Sequence, residues 1–344
     1  MITWDIDPTT IDFWDNELAK WDDANVFHES CWAHVLKSTY GYRCFYTMSD
    51  QGDLMIPMIE VDSRITGRRG ISVPFSDFCQ PLVQNIQQMK AYFNGIQKIA
   101  IEKKWKYIEW RGDINFFKSM PAFNVYYCHE LEIDKEPSDI LRSFRKGTKS
   151  AIKKAERDGL VSIDISTSLE ALKDYYFLHC LTRKRLGVPP QPFKFFLKIY
   201  EFIISKGKGV IISANCNNKN VASGIFLHHN KHVIYKFGAS RPGFHKLRPT
   251  NLLLWHAILF YSNKNCKYFN FGRTDINNKG LLTFKRGWGT NETLLKYYRY
   301  DLNKKEFEQK SKESSGKFNF SKVFKRLPMP VLKLIGALFY KHIA

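Results

Sequence analysis

Phe269-Asn270-Phe271-Gly272-Arg273-Thr274-Asp275, followed by Gly280-Leu281-Leu282-Thr283-Phe284-Lys285-Arg286-Gly287-Trp288-Gly289, is the stretch that decides how this chain is read. Tyr268, Phe269 and Phe271 are of the aromatic type that strands favour, so the first half predicts a buried strand. Charge arrives abruptly at its end, where Arg273 and Asp275 are expected on a loop presented by a rigid scaffold. Lys285 and Arg286 then stand between Phe284 and a Gly-Trp-Gly turn. The glycines predict a close approach of the backbone to a ligand, and the aromatic neighbours a partly desolvated lysine. Taken by itself the segment also reads as a surface loop with solvated charges, so its meaning depends on what precedes it.

The chain has 344 residues, enough for one large domain or two ordinary ones, and with 44% hydrophobic and 15% aromatic residues it can build a substantial core. Its 53 Lys+Arg against 33 Asp+Glu give a formal charge of +20, which predicts an anionic partner: nucleic acid, a phosphate-bearing substrate or an acidic membrane surface. The seven cysteines are scattered and never spaced Cys-x-x-Cys, which predicts free thiols in a reducing compartment and no metal. His228, His229 and His232 flank an Asn230-Lys231 turn and read as a hairpin surface. The N-terminus lacks the features of a signal peptide and no apolar run reaches spanning length, so a cytoplasmic protein is expected.

In chain order, a helix is expected over residues 27–36, strands at 42–46 and 54–61, and an irregular loop over 71–82, where two prolines and Asp77 interrupt a run of aromatics. A helix over 89–104 carries Tyr92, Phe93, Ile96 and Ile99 on one face, and strand 107–110 leads to Arg111. After a strand at 129–133, Ser138 is the expected N-cap of a helical region with Gly147 as a break and Gly159 as C-cap. Arg142, Lys146, Lys149, Lys153 and Arg157 recur at steps of three or four residues and form a basic stripe, read either as a solvated face or as a phosphate- or tRNA-binding one. The second half then gives helix, strand, helix, three meandering strands, a helix opened by Pro249, and strand 268–271. The first half has a shorter version of this order. Two tandem α/β units follow, with domains expected at 1–135 and 136–302, and a basic tail at 303–344.

In that tail no acidic residue follows Glu313, while Lys317, Lys322, Lys325, Arg326, Lys333 and Lys341 remain. Val331, Leu334, Ile335, Leu338 and Phe339 fall on one helical face. A basic amphipathic helix of this kind either lies in a membrane interface or docks on the protein's own core. The first alternative would place the protein on the inner face of the cytoplasmic membrane through residues 318–344.

These motifs together resemble the Fem-like and BioF2-like acyltransferase group of the GNAT superfamily, including members found beside polysaccharide loci. The matching stretches are residues 74–82, 145–159, 182–192, 235–240, 248–251, 271–274 and 284–289. The resemblance implies an α/β (α+β) fold of two tandem GNAT-like domains with mixed central sheets, followed by the amphipathic helix. It also implies transfer of an acyl or aminoacyl group to an amine on a cell-envelope glycan or peptidoglycan-type precursor. Acyl-CoA or aminoacyl-tRNA would be the donor, with no tightly bound cofactor, and a nucleotide- or lipid-linked glycan the acceptor. Fem ligases take an amino acid from aminoacyl-tRNA, and Lys285 matches their functionally important late lysine. Phe244-His245-Lys246-Leu247-Arg248-Pro249 lacks the glycines of the usual CoA-binding loop, and Gln80-Pro81 stands where Fem ligases tend to have Gly-Pro.

Amide formation needs a neutral amine, a held carbonyl and charge stabilisation at the developing oxyanion. Lys285, Asp275 and Asp77 are the catalytic candidates: the lysine for positive charge, the carboxylates as proton acceptors. A turn cap is the alternative role for Asp275. Arg273, Arg248, Thr250, Trp288, Ser76, Arg111, Tyr235 and Arg185 are the substrate-binding candidates, with Arg248 and Thr250 at a helix N-terminus suited to phosphate. Two further functions compete: acetyl-CoA-dependent N-acetylation of an amino sugar, and a non-enzymatic RNA-binding or membrane-surface scaffold.

Overall fold

The computed structural model describes residues 1–309 and 320–343, so Glu313, Lys317 and the first two residues of the 318–344 segment lie outside the described residues. In chain order the elements are β1 (Ile2–Ile6), α1 (Phe13–Leu18), α2 (Ser30–Tyr40), β2 (Arg43–Cys44), β3 (Tyr46–Ser49), β4 (Leu54–Ile56), β5 (Ile59–Val61), β6 (Arg69–Ile71), β7 (Leu82–Val83), α3 (Ile86–Glu102) and β8 (Tyr107–Arg111). They continue with β9 (Asn124–Glu132), α4 (Pro137–Ser143), α5 (Lys146–Asp158), β10 (Ser162–Ser166), α6 (Leu169–Leu186), α7 (Phe193–Phe202), β11 (Gly209–Cys216), β12 (Lys219–His229), β13 (His232–Ser240) and α8 (Pro249–Ser262). The last are β14 (Tyr268–Asp275), α9 (Lys279–Arg286), β15 (Asn291–Asp301), β16 (Glu306–Phe307), α10 (Ser321–Arg326) and α11 (Met329–Phe339). They form two units. One is Met1–Tyr127 with the chain from Leu294 and the final residues from Phe339; the other is Cys128–Thr293 with α10 and the chain up to Leu338.

In the first unit β1, β3, β4 and β7 make a small antiparallel sheet. A second set runs β2-β5-β6-β8, with Tyr297–Asp301 antiparallel to β8. Only β6 and β8 run parallel, Gly70 opposite Ile108 and Ile71 opposite Glu109. α3 crosses between them and buries Met89, Tyr92, Ile96 and Ala100. That apolar face packs on Phe45, Trp110 and Tyr298. The spacing of Tyr92 and Ile96, four residues apart, is what directs this face inward.

The second unit repeats the plan at larger size. β10, β11, β12 and β13 form an antiparallel meander, and β14 adds to β13 in parallel. A parallel pair needs a crossover, which α8 supplies. α8 is apolar almost all round and is buried on several sides: Leu252, Leu253, Leu254, Trp255, Ala257, Ile258 and Tyr261 are all buried. It packs against β11, β12 and α5. Val210, Ile212 and Ala214, on one side of β11, join this core. α6 and α7 pack on β11–β13 separately, with Phe195 and Phe196 meeting the ring of Phe237 at 6.0 and 5.3 Å. The fold is therefore mixed α/β, as expected.

Several local expectations are corrected. The helical region after Glu136 is two helices, α4 and α5, because Phe144 and Arg145 take extended backbone angles. Glu136, not Ser138, is the N-cap, with Pro137 at the first helical position. Gly147 lies inside the first turn of α5 and breaks nothing, so Arg142 belongs to a different helix from Lys146, Lys149, Lys153 and Arg157. β14 extends through Asp275, which puts Arg273 in the strand. Lys285 and Arg286 occupy the last turn of α9, a helix that reads as a loop in sequence because it is short and follows Asn277-Asn278.

Candidate active site at the β13–β14 fork

The parallel pairing of β13 with β14 covers only His232–Ile234 against Tyr268–Asn270. Both strands run on, to Ser240 and Asp275, while β13 stays registered with β12 as far as Ser240 opposite Ala222. Beyond Ile234 and Asn270 the two strands therefore part and form a fork. Alternate main-chain groups of a strand point to opposite edges. Those of β13 past Ile234 that face away from β12 are directed into the fork. Two devices shape this arm. The register shifts between Ile225 and Phe226, so β13 carries one extra residue at Lys236. Tyr235 stacks on Phe226 at 5.0 Å, and burial raises its hydroxyl well above the ordinary tyrosine range.

The other arm is held by Lys285. It is 5% exposed, and its Nζ donates to the carbonyls of Gly272 at 2.7 Å and Arg273 at 3.2 Å. α9 brings it there by burying Leu282 and Lys285, three residues apart on one face. Asn278 caps that helix, accepting from Leu281 N at 3.1 Å. Arg286 makes a two-pronged bond to Glu292, 2.7 Å on each oxygen, and Glu292 also meets His129 Nε2 at 2.8 Å. The Arg286 guanidinium holds the Glu292 carboxyl below its ordinary value. Burial, reinforced by the Lys285 charge, lowers His129 against the opposing pull of Glu292. Nothing in the amino-acid pattern announces this Arg286–Glu292–His129 chain: Arg286 and Glu292 are six residues apart, but His129 comes from a distant strand and only the fold brings it to them.

The remaining candidates of this unit distribute as follows. Arg273 is half-buried on β14. Asp275 is exposed and accepts from Asn277 N at 2.8 Å, the turn-capping role. Arg248 is exposed, sits at the N-cap of α8 in a left-handed conformation, and precedes half-buried Thr250 in the first turn. α8 starts at the end of the unit where β13 finishes, so its N-terminus and the open ends of the fork lie on the same side. Arg185 reaches Ser240, the last residue of β13, at 3.4 Å and His245 at 3.1 Å. Thr182 exchanges bonds with the Ser240 backbone, at 3.0 and 3.2 Å. Thus the 182–185 motif supports the tip of β13. Lys146 and Lys153 are exposed on α5, Lys149 donates to Arg142 O at 3.2 Å, and Arg142 pairs with Asp139 at 3.1 Å.

Trp288 is fully buried, with its ring 5.1 Å from Phe144 and 5.8 Å from Phe271. It packs the core beneath the fork and offers no face to a substrate. The flanking glycines likewise serve packing. A Cβ on Gly289, at φ +67, would come 2.7 Å from the Ser143 carbonyl. The close approaches that the glycines permit are to α4 from Gly289 and to Thr148 of α5 from Gly287.

Ser76, Asp77 and Arg111 belong to the first unit. Ser76 and Asp77 lie buried in the 72–81 loop, where Val73 and Phe75 take positive φ values of 54° and 61°. Such angles are costly for a β-branched residue. Arg111 donates to Glu109 at 3.0 Å and to Val73 O at 3.4 Å. The Glu109 carboxyl is buried, which would raise its pKa, but Arg111 and Arg299 together hold it below the ordinary value. The loop closes over the end of the parallel pair: Ser72 N reaches Glu109 O at 2.8 Å and Cys79 N reaches Arg111 O at 2.7 Å. Where the second unit opens a fork, the first fills the equivalent place with its own backbone.

Among the described residues no group of His, Cys, Asp and Glu could hold a metal ion. No described helix is long and apolar enough to cross a membrane.

Residues 142–286 match the acetyltransferase (GNAT) domain family. No curated protein sequence matches the chain significantly. Among solved structures, FemX superposes with a TM-score of 0.70 at 13% identity, over 88% of this chain and 98% of its own. The C-terminal domain of an Agrobacterium fabrum protein described as a lysylphosphatidylglycerol synthetase gives 0.55 at 12% identity, over 83% and 89%. A tandem GNAT protein from the clavulanic acid biosynthesis pathway gives 0.55 at 8% identity, over 88% and 99%. At these identities the structures speak for the fold, and the domain match for the chemistry. Residues 142–286 are thus an acetyltransferase (GNAT) domain within a tandem-GNAT fold, and the protein is an acyltransferase.

Proposed function

We propose that the protein transfers an acyl or aminoacyl group to an amine on a cell-envelope glycan or peptidoglycan-type precursor. The observation that carries the reading is the open fork in the GNAT-matched unit, with the Lys285 ammonium fixed on its β14 arm. An extended donor can lie along the β13 arm of the fork and add to it by main-chain hydrogen bonds, as a strand would. Main-chain N–H groups there would meet the oxyanion as the amine attacks the carbonyl and the ester or thioester oxygen or sulfur departs. Arg248 and the N-terminus of α8 suit the phosphates of either donor. Asp275, exposed beside the fork, is the carboxylate nearest in sequence to take the amine proton, and Arg273 shares its strand. Lys285, already engaged by two carbonyls, keeps the fork in shape and adds positive potential to it.

The envelope acceptor draws support from the likeness to FemX and to the domain named for lysylphosphatidylglycerol synthesis, and an aminoacyl donor from the same two. The missing glycines between Phe244 and Pro249 also favour aminoacyl-tRNA over acetyl-CoA. The exposed lysines of α5 would then grip tRNA. The test is donor binding by purified protein at near-physiological salt, comparing acetyl-CoA, charged tRNA and uncharged tRNA, followed by transfer to amino-sugar and peptide amines. Selective binding of charged tRNA is expected. Lys285→Ala should abolish transfer and destabilise the fold by about 1.5–3 kcal/mol, since a buried and a part-buried carbonyl lose a charged donor. Binding of neither donor, or undiminished transfer in folded Lys285→Ala, overturns the reading.

A further inference from the structure

α11 is apolar on two faces, and only one of them is used. Leu332 and Gly336, four residues apart, are buried, and Gly336 presses so closely on α6's following loop that a Cβ would fall 2.0 Å from the Pro190 carbonyl. The opposite face is Val331, Leu334 and Leu338, which are 41%, 60% and 55% exposed, with Phe339 at the helix end 48% exposed. A helix apolar all round is ordinarily enclosed by protein. This one is not. α10 continues the pattern: Phe320 and Val323 are 56% and 52% exposed, and Ser321 is seated against the end of α6 through Leu186 O at 3.4 Å. Lys322, Lys325, Arg326 and Lys333 are exposed on the same two helices, and none of their described residues is acidic. Beside α11 lies a groove of about 460 Å³ lined by Tyr176, Pro192, Phe193 and Ala337, with Lys173 and Lys333 at its edge. Lys333 stands 5.3 Å from the Tyr176 ring centroid, and Lys173 pairs with Glu170 at 2.9 Å.

We propose that α10 and α11 form a docking surface for an anionic phospholipid bilayer, with Val331, Leu334 and Leu338 entering the interface and the basic residues meeting lipid phosphates. An exposed apolar strip on two helices that carry cations and no carboxylate is complementary to an anionic interface and to little else in water. The docked stripe, Leu332 and Gly336, fixes the helix to the protein while leaving the other face for lipid. A second copy of the chain is a poor occupant, because pairing two such surfaces would bring like charges together.

The proposal is independent of the catalytic reading, and its test needs no activity. Full-length protein is co-sedimented with vesicles of phosphatidylcholine alone and of phosphatidylcholine and phosphatidylglycerol in equal parts. Binding to the anionic vesicles only, weakening with salt, is expected. The double variant Leu334→Glu with Leu338→Glu should melt like the wild type and lose binding. Neutralising Lys325, Arg326 and Lys333 to Gln should weaken partitioning about fivefold per charge, on the order of 100-fold together. Absence of wild-type binding to anionic vesicles overturns the proposal. So does unchanged binding by the folded Glu variant, or a wild-type dimer in sedimentation velocity that the Glu variant dissociates.

Discussion

At the scale of single residues, buried titratable groups report most directly on how this chain is held together. His179, on α6, is 4% exposed, with its Nδ1 3.2 Å from the Tyr175 hydroxyl and its ring 4.8 Å from that of Phe196. Burial, reinforced by the Arg183 charge, lowers it to about 3. The unfolded chain takes up this proton near the ordinary histidine value, about 6.5, whereas the folded chain resists until far lower pH. Between those values the unfolded state binds more protons, so stability is complete above about 6.5 and declines as pH falls. His129 is lowered as well and adds to the decline. His179→Phe should remove part of it. We expect the slope of unfolding free energy between pH 6 and pH 5, from urea titrations, to flatten by up to about 1.4 kcal/mol per pH unit. An unchanged slope would mean that His179 is protonated in the folded protein. The residue scale is also where the sequence is least explicit. Nothing local marks His129, Glu292 and Arg286 as partners, and nothing distinguishes Trp288 in the core from Trp288 in a pocket.

Elements were more legible, for identifiable reasons. α3 and α8 announce themselves by apolar spacing and by Pro249 at the first helical position, and the β12–β13 hairpin by its Asn230-Lys231 turn. α9 does not, because eight residues give too few turns for a period to emerge. The α4–α5 break escapes for another reason: it is made by tertiary contact. Arg145 N donates to Gly287 O at 2.9 Å, which holds residue 145 extended while the Gly-Trp-Gly turn packs below it. Gly289 completes this joint at φ +67, with Ser143 O 2.7 Å from where a Cβ would stand. Gly289→Ala combines a left-handed backbone with a clash against a carbonyl, and should destabilise by roughly 1–3 kcal/mol. The check is chemical denaturation of the variant beside Gly147→Ala. Gly147 is helical and has open space around it, so that substitution should be neutral or slightly stabilising. Equal effects at the two positions would remove the packing argument for the joint.

At the scale of the whole molecule, the tandem plan was readable because the same order of elements occurs twice, but the difference between the two units was not. Each has one parallel pair with a helical crossover, β6–β8 and β13–β14. In the first unit the 72–81 loop returns over the strand ends, and Arg111 is committed to Glu109 and to Val73 O. In the second the β13–β14 pairing ends at Ile234 and Asn270 and the strands part. The amino acids alone show comparable charged residues after both strands, Arg111 in one and Arg273 in the other, and so suggest comparable sites. If one fork is closed, donor binding should reside in the second unit alone. Arg111→Met is then a variant with divided consequences. It leaves Glu109 buried with Arg299, whose guanidinium lies 2.6 Å away, as remaining partner, and should cost about 1–3 kcal/mol of stability. Donor affinity, measured on the folded variant by the same titration as for the wild type, should be unchanged within about twofold, since 0.4 kcal/mol is all that such a factor represents. A large loss of donor affinity with the fold intact would show that the first unit takes part in holding the donor, and would bring Arg111 back among the substrate-binding residues.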